Sequence, residues 1–63
     1  MAFIKVTGSS GGTFYINADH ICEIMHYDRK ELPDCKSCVV IKGVTGLFSE
    51  YVKETPEDIL KQL

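Results

Sequence analysis

The stretch TFYINADHICEI, Thr13–Ile24, predicts a strand, a tight polar turn and a second strand, which the rest of the chain is expected to cover. Asn17 and Asp19 flank the centre of the turn, and both residue types hydrogen-bond their own local backbone, which stabilises turns. The apolar side of this unit is supplied by Phe14, Ile16, Ile21 and Ile24.

The second strand of this unit, predicted over residues 21–27, departs from strict alternation of apolar and polar residues. Ile21 and Ile24 are three positions apart, whereas residues on one face of a strand are two apart. Either the strand begins at Cys22, or a bulge lets both isoleucines face the core.

Three further strands are expected around this centre. In the first, over residues 2–7, either Ile4 and Val6 or the face carrying Phe3 is buried, and we expect burial of Ile4 and Val6. Residues 8–12 form a glycine-rich hairpin loop that lacks the Lys-Ser/Thr or following helix of a phosphate-binding loop. The β-branched residues at 39–41 favour a strand over 38–42, and a glycine-bounded connection leads to the last strand, 47–52.

The end of the chain predicts a short helix that docks on the sheet. Thr55 is an N-cap residue, Pro56 suits the first helical position, and acidic residues follow in the first turn. Ile59, Leu60 and Leu63 then form an apolar stripe, which a helix this short needs to bury for stability.

Together these elements predict a mainly β protein. We expect a small, strongly twisted antiparallel sheet or partly closed SH3-like barrel of about five strands, with one C-terminal helix. Residues 28–36 are polar and contain Pro33, which is typical of a surface loop that holds at most a short helical turn. The predicted core is Ile4, Val6, Phe14, Ile16, Ile21, Ile24, Val39, Ile41, Phe48, Val52, Ile59 and Leu63.

Length and charge narrow the possible functions. The chain has 63 residues, 44% hydrophobic and 25% charged, which is ordinary for one small globular domain spanning residues 1–63. Domains of this size bury little core, so a homo-oligomer or a protein partner is expected. Seven Lys and Arg are spread among nine Asp and Glu, and the absence of a basic cluster argues against nucleic-acid binding.

The sequence also suggests a cytoplasmic location. It contains no apolar run of about 18 residues, so no membrane span is expected. Its first residues, MAFIKVTG, form a strand pattern without the apolar centre of a signal peptide. Its three cysteines are an odd number, which favours reduced thiols over a disulfide framework.

Cys35 and Cys38 form a C-x-x-C pair, the spacing at which one turn can direct two sulfurs to a zinc ion. Such a pair can also be a redox couple, although that chemistry favours a helix N-terminus and this pair leads from a loop into a strand. The sequence favours two incidental thiols, with Cys38 half-buried, and no cofactor. The further zinc ligands would come from His20, Cys22 and His26.

The remaining candidate residues point to contacts and not to catalysis. Neither histidine has a Ser or acid partner arranged for nucleophilic chemistry, so the protein is expected not to be an enzyme. Tyr15, Tyr27 and Tyr51 either cover the outer face of the sheet or form an interface, where tyrosine is enriched.

The whole chain resembles the FlbD/SwrD family of small bacterial flagellar and swarming-motility proteins. The likeness lies in I-x-V-T, then G-x-F-x-I-N-x-x-x-I-x-x-I, and a closing V-K-E-T-x-E-x-I. It implies a non-enzymatic interaction module linked to motility, although the 28–36 loop is longer than the family's connection. The matching residues are Ile4, Val6, Thr7, Gly12, Phe14, Ile16, Asn17, Ile21, Ile24, Gly46, Val52, Lys53, Glu54, Thr55 and Ile59.

A second resemblance is to the first half of LytTR-type DNA-binding domains, which also pair an I-x-x-I strand with a hairpin and a short helix. That likeness implies a small regulator acting with nucleic acid, and the C-x-x-C implies a zinc-binding one. Similar short chains are also common among uncharacterised phage-type and mobile-element proteins. The interaction module remains the leading hypothesis, with these as alternatives.

Overall fold

The computed structural model describes residues 2–63 and has the predicted mainly β architecture. Within these residues, five strands and one α-helix account for the regular structure, with a single 3₁₀ turn between the second and third strands. Across residues 2–63, no helix has the length and apolar character needed to cross a membrane. The elements are β1 Phe3–Thr7, β2 Thr13–Asn17, the 3₁₀ turn Ala18–His20, β3 Ile21–His26, β4 Ser37–Lys42, β5 Leu47–Val52 and α1 Pro56–Leu60.

The strands form two antiparallel sheets. One is the β1–β2 hairpin and the other has the order β3–β4–β5. The sheets meet where β1 ends, through a bridge between Gly8 and Val52 and a 2.9 Å hydrogen bond from the Lys53 N–H to the Thr7 carbonyl. Over residues 2–63 the strands do not close into a barrel, because β1 and β5 share only this short contact and β2 is not paired with β3.

The irregular spacing in β3 is resolved by a bulge. The strand begins at Ile21, and its register against β4 shifts between Ile21 and Glu23. The extra residue returns Ile24 to the inner face, so both isoleucines are half-buried against the core. Of the two alternatives, the bulge is confirmed and a start at Cys22 is wrong.

The core lies between the inner faces of the two sheets. Ile4 and Val6 are fully buried, which confirms the predicted inner face of β1, while Phe3 is 53% exposed. Phe14, Ile21, Ile24 and Ile41 are partly buried around this centre. The aliphatic residues of the buried cluster are Ile4, Val6, Ile16, Val39, Val52 and Ile59.

Two predicted core residues are exposed. Phe48 lies opposite Ile41 near the start of β5, and 50% of its surface is accessible. Its ring packs instead over Gly43, where an added Cβ would come within 2.3 Å of it. Leu63 is 59% exposed because α1 ends at Leu60, so the helical stripe does not continue to it.

The C-terminal segment docks on the free edge of β1. The Thr55 hydroxyl caps α1 by accepting the Asp58 N–H at 3.1 Å, as predicted. Beyond the helix, the Gln62 side chain accepts the Lys5 N–H at 2.7 Å and donates to the Lys5 carbonyl at 2.9 Å. An amide side chain thus replaces a neighbouring strand at this position of β1.

Candidate interaction surface

The outer face of β3–β4–β5 carries a row of large side chains. The register places Met25 opposite Cys38 and Cys38 opposite Tyr51. Tyr27, just past the end of β3, packs its ring against Tyr51 with ring centroids 4.8 Å apart and planes tilted by 55°. We call Met25, Tyr27, Cys38 and Tyr51 the tyrosine face.

Charged residues border the tyrosine face. Asp28, Arg29 and Glu31 lie in the loop after β3 and line the same shallow groove as Tyr27 and Tyr51. Burial raises the pKa of the Tyr27 phenol above its usual value, and the Glu31 carboxylate adds to this shift. The phenol is therefore neutral at physiological pH and can both donate and accept a hydrogen bond in the groove.

Tyr15 does not belong to this surface. It lies on the outer side of β2, opposite Lys5, and is 64% exposed. The three tyrosines considered as one interface are therefore divided between two sheets. Alternation in the sequence places Tyr15 on the outer side of its strand, but it carries no information about which sheet holds that strand.

The C-x-x-C cysteines are more buried than expected. Cys35 is 3% and Cys38 5% exposed, so the prediction of a half-buried Cys38 is wrong. Lys36 already continues the sheet ladder, since its carbonyl accepts the Tyr27 N–H and its N–H binds the Val52 carbonyl. Cys35 closes a turn, its N–H donating to the Leu32 carbonyl at 3.0 Å, whereas Cys38 lies within β4.

The other candidate metal ligands are spread along β3 and its preceding turn. His20 ends the 3₁₀ turn, Cys22 lies at the bulge and is exposed, and His26 pairs with Ser37 at the far end of the strand. Within residues 2–63, no three His, Cys, Asp or Glu side chains are grouped to hold a metal ion.

Ser37 is a structural residue that the sequence pattern did not reveal. It is fully buried in the core face of β4, and its hydroxyl donates to the Glu54 carbonyl at 2.7 Å. Across residues 2–63, every buried side-chain nitrogen or oxygen has a hydrogen-bond partner. The buried polar groups are therefore satisfied by the fold itself.

The tip of the β4–β5 hairpin is a second exposed apolar feature that sequence analysis missed. Val44 is completely exposed and Leu47 is 66% exposed. Phe48 adds its half-exposed ring, so three neighbouring large side chains face solvent. The sequence does indicate this exposure, because Val44 lies between the turn glycines Gly43 and Gly46, where a side chain cannot reach the core.

No protein-family model, curated protein or solved structure matches the chain.

Proposed function

We propose that this protein is a non-enzymatic interaction module that works by self-association or by binding a protein partner. The observation that carries the proposal is the distribution of apolar side chains. In residues 2–63, nine large hydrophobic residues are exposed, whereas the buried cluster holds six aliphatic residues. Single exposed apolar residues are ordinary, but contiguous ones mark binding surfaces.

The tyrosine face is the surface we assign to a protein partner. Tyr51 and Met25 are 37% and 39% exposed, and they flank the buried Cys38 in one row. Tyrosine, methionine and arginine are enriched in protein interfaces, whose apolar centre is usually surrounded by a polar rim. The face has this composition, with Arg29 and two acidic residues at its border.

The resemblance to the FlbD/SwrD family supports a role for this module in bacterial motility. That link is part of the proposal and rests on the residues shared with the family. Small size also supports an assembly role, because a domain with so little core gains stability when a partner covers its apolar surface.

Site-specific photo-crosslinking in the cells that encode this chain tests the proposal. A photoreactive phenylalanine at Tyr51 is expected to crosslink to one protein species, either the same chain or another protein. As a control, the same photoreactive group is placed at Glu57, an exposed residue of α1, where no crosslink to a protein is expected.

The crosslinked partner is then purified and its affinity measured. Tyr51→Ser is expected to weaken binding by about tenfold or more, as truncation of an interface tyrosine does. Loss of the ring contact with Tyr27 should also lower the melting temperature by several degrees, so circular dichroism at the temperature of the binding assay confirms that the variant is folded. Leu60→Ser, at an exposed apolar residue of α1 outside this surface, is the matched control. Equal crosslinking at Tyr51 and Glu57, or unchanged affinity of Tyr51→Ser, would contradict the proposed role of the tyrosine face.

A further inference from the structure

The two edges of the β1–β2 hairpin differ in whether other residues of the chain hydrogen-bond to them. On β1, Gln62 binds both backbone groups of Lys5. The Glu54 carboxylate accepts the Thr7 N–H at 2.8 Å, and the Thr7 carbonyl accepts the Lys53 N–H at 2.9 Å. The C-terminal segment therefore occupies the β1 edge.

The pattern on β1 fixes the direction of the backbone groups on β2. In an antiparallel pair, residues directly opposite each other turn their N–H and C=O groups either towards one another or both away. Lys5 and Thr7 turn theirs away from β2, and they lie opposite Tyr15 and Thr13. The N–H and C=O groups of Tyr15 and Thr13 therefore point outward from β2, an edge to which no strand of residues 2–63 is paired.

The β2 edge also lacks the features with which proteins block strand addition. Such edges usually carry a charge, a proline or a bulge, or they are covered by another segment. The β3 edge has both a bulge and Glu23. Thr13–Asn17, TFYIN, has no charge and no proline, and its register against β1 is unbroken.

We propose that the β2 edge pairs with the β2 edge of a second copy of this chain, in antiparallel register about a two-fold axis at Tyr15. Each Tyr15 then lies opposite its equivalent, Thr13 lies opposite Asn17, and Phe14 lies opposite Ile16. The outward groups of Tyr15 and Thr13 form the hydrogen bonds of the new ladder. Phe14, which is only partly buried in one chain, gains an apolar neighbour on its open side.

Charge permits this pairing with a second copy. The segment is uncharged, so no like charges are brought directly opposite. The nearest charged groups on the same face are the two Lys5 side chains, since Lys5 lies beside Tyr15. They would be three strand spacings apart, about 14 Å, which exceeds the Debye length of about 8 Å at physiological ionic strength.

The size of the contact sets the expected strength of the dimer. Strands of five residues bury less surface than a standard interface, so association is expected at protein concentrations on the order of 10–100 μM. The exposed Phe3 and Tyr15 rings lie on the outer face of the four-stranded sheet that the dimer would form. The inference rests on the proposed interaction role and names a partner for it, but it uses residues outside the tyrosine face.

A charge-pairing experiment by sedimentation equilibrium tests the register. Tyr15→Lys and Tyr15→Glu each place like charges directly opposite across the two-fold axis, and each variant alone is expected to be monomeric where the wild type is dimeric. An equimolar mixture of the two variants is expected to recover the dimer, because opposite charges then face each other. Circular dichroism confirms that each variant is folded, and Tyr51→Lys is the control that should still dimerise.

Three results would overturn the inference: a wild-type chain that stays monomeric at millimolar concentration, a Tyr15→Lys variant that still dimerises, or a mixture that remains monomeric. A dimer lost in Tyr51→Lys but kept in Tyr15→Lys would move self-association to the tyrosine face. That outcome would refute the β2 pairing while leaving the proposed function intact. Failure of the crosslinking at Tyr51, with the dimer and its charge-paired recovery observed, would instead refute the role of the tyrosine face and leave the β2 pairing intact.

Discussion

The C-terminal segment, residues 53–63, and the tip of the β4–β5 hairpin, residues 43–48, carry equal numbers of large aliphatic or aromatic residues but bury them very differently. The C-terminal segment has Ile59, Leu60 and Leu63, and Ile59 is fully buried. The hairpin tip has Val44, Leu47 and Phe48, and all three are at least half exposed.

The difference arises from what each segment is bonded to. The C-terminal segment is held against β1 by the side chains of Glu54 and Gln62. The hairpin tip is joined only to its own strand β4, through the pairing of Leu47 and Phe48 with that strand, and to itself, through the 2.7 Å hydrogen bond from the Gly43 N–H to the Gly46 carbonyl. Apolar content alone therefore does not decide burial; a segment must also satisfy its backbone against the rest of the fold.

The largest expected effect comes from removing the one buried apolar side chain of the C-terminal segment. Ile59→Ala leaves a cavity in the core and is expected to lower the free energy of unfolding by about 2–5 kcal/mol. That is comparable to the whole stability of a domain this small, so the variant should be largely unfolded. Urea denaturation, monitored by circular dichroism, measures this loss of stability.

Its neighbour Leu60 provides the matched control. Leu60 is 58% exposed on the same helix, so Leu60→Ala should change stability by no more than about 0.5 kcal/mol. Equal effects of the two substitutions would show that the helix does not dock through Ile59.

The next largest effect concerns the hydrogen bonds that hold this segment to β1. Glu54→Ala removes the bonds to the Thr7 N–H and hydroxyl, at 2.8 and 2.9 Å, and leaves the N–H without its partner. Hydrogen bonds to charged groups contribute about 1.5–3 kcal/mol each, and partial exposure places the expected loss near the lower value. Thermal unfolding should show a melting temperature lower by roughly 5–12 °C.

Glu57→Ala is the control for this change, since Glu57 is exposed in the first turn of α1. Removing the Glu57 carboxylate should lower the free energy of unfolding by less than about 1 kcal/mol, the usual contribution of an acid near a helix N-terminus. A drop in melting temperature for Glu57→Ala as large as for Glu54→Ala would argue against the role of Glu54 in holding the segment.

The smallest expected effect lies at the hairpin tip. In Gly43→Ala, the new Cβ would fall within 2.3 Å of the Phe48 ring, which must then move. Because that ring is half exposed and free to swing outward, we expect a cost of only about 1 kcal/mol, the lower end for overpacking. Combining Gly43→Ala with Phe48→Ala should remove this additional cost in a double-mutant cycle.

Gly12→Ala is the control for the glycine substitution itself. A Cβ at Gly12 meets no atom within 4 Å, so this change should not strain the folded state. Because alanine restricts the unfolded chain more than glycine does, the variant should be neutral or more stable by up to about 1 kcal/mol. A Gly43→Ala variant as stable as Gly12→Ala would mean that the Phe48 ring does not pack over Gly43.

Local signals were sufficient for most of the fold. Strand alternation predicted Ile4 and Val6 as the inner face of β1, and the Thr55-Pro56 pair predicted the start of α1, because both depend on nearby residues only. Part of the candidate site was also predicted from the sequence, since Tyr27 and Tyr51 were expected on the outer face of the sheet or in an interface. Their mutual contact was not, because it depends on the register between strands and on the course of residues 27–36.

The amino-acid sequence by itself determined which residues form strands, where the chain turns and where the helix begins, since these follow from local backbone preferences and side-chain periodicity. Only the tertiary structure decided that Phe48 and Leu63 are exposed, that Ser37 is buried, and that the β1 edge is covered while the β2 edge is open. The physical reason is that burial and edge pairing depend on which distant segments meet, and here the contacts between residues 5–7 and 53–62 settle that choice.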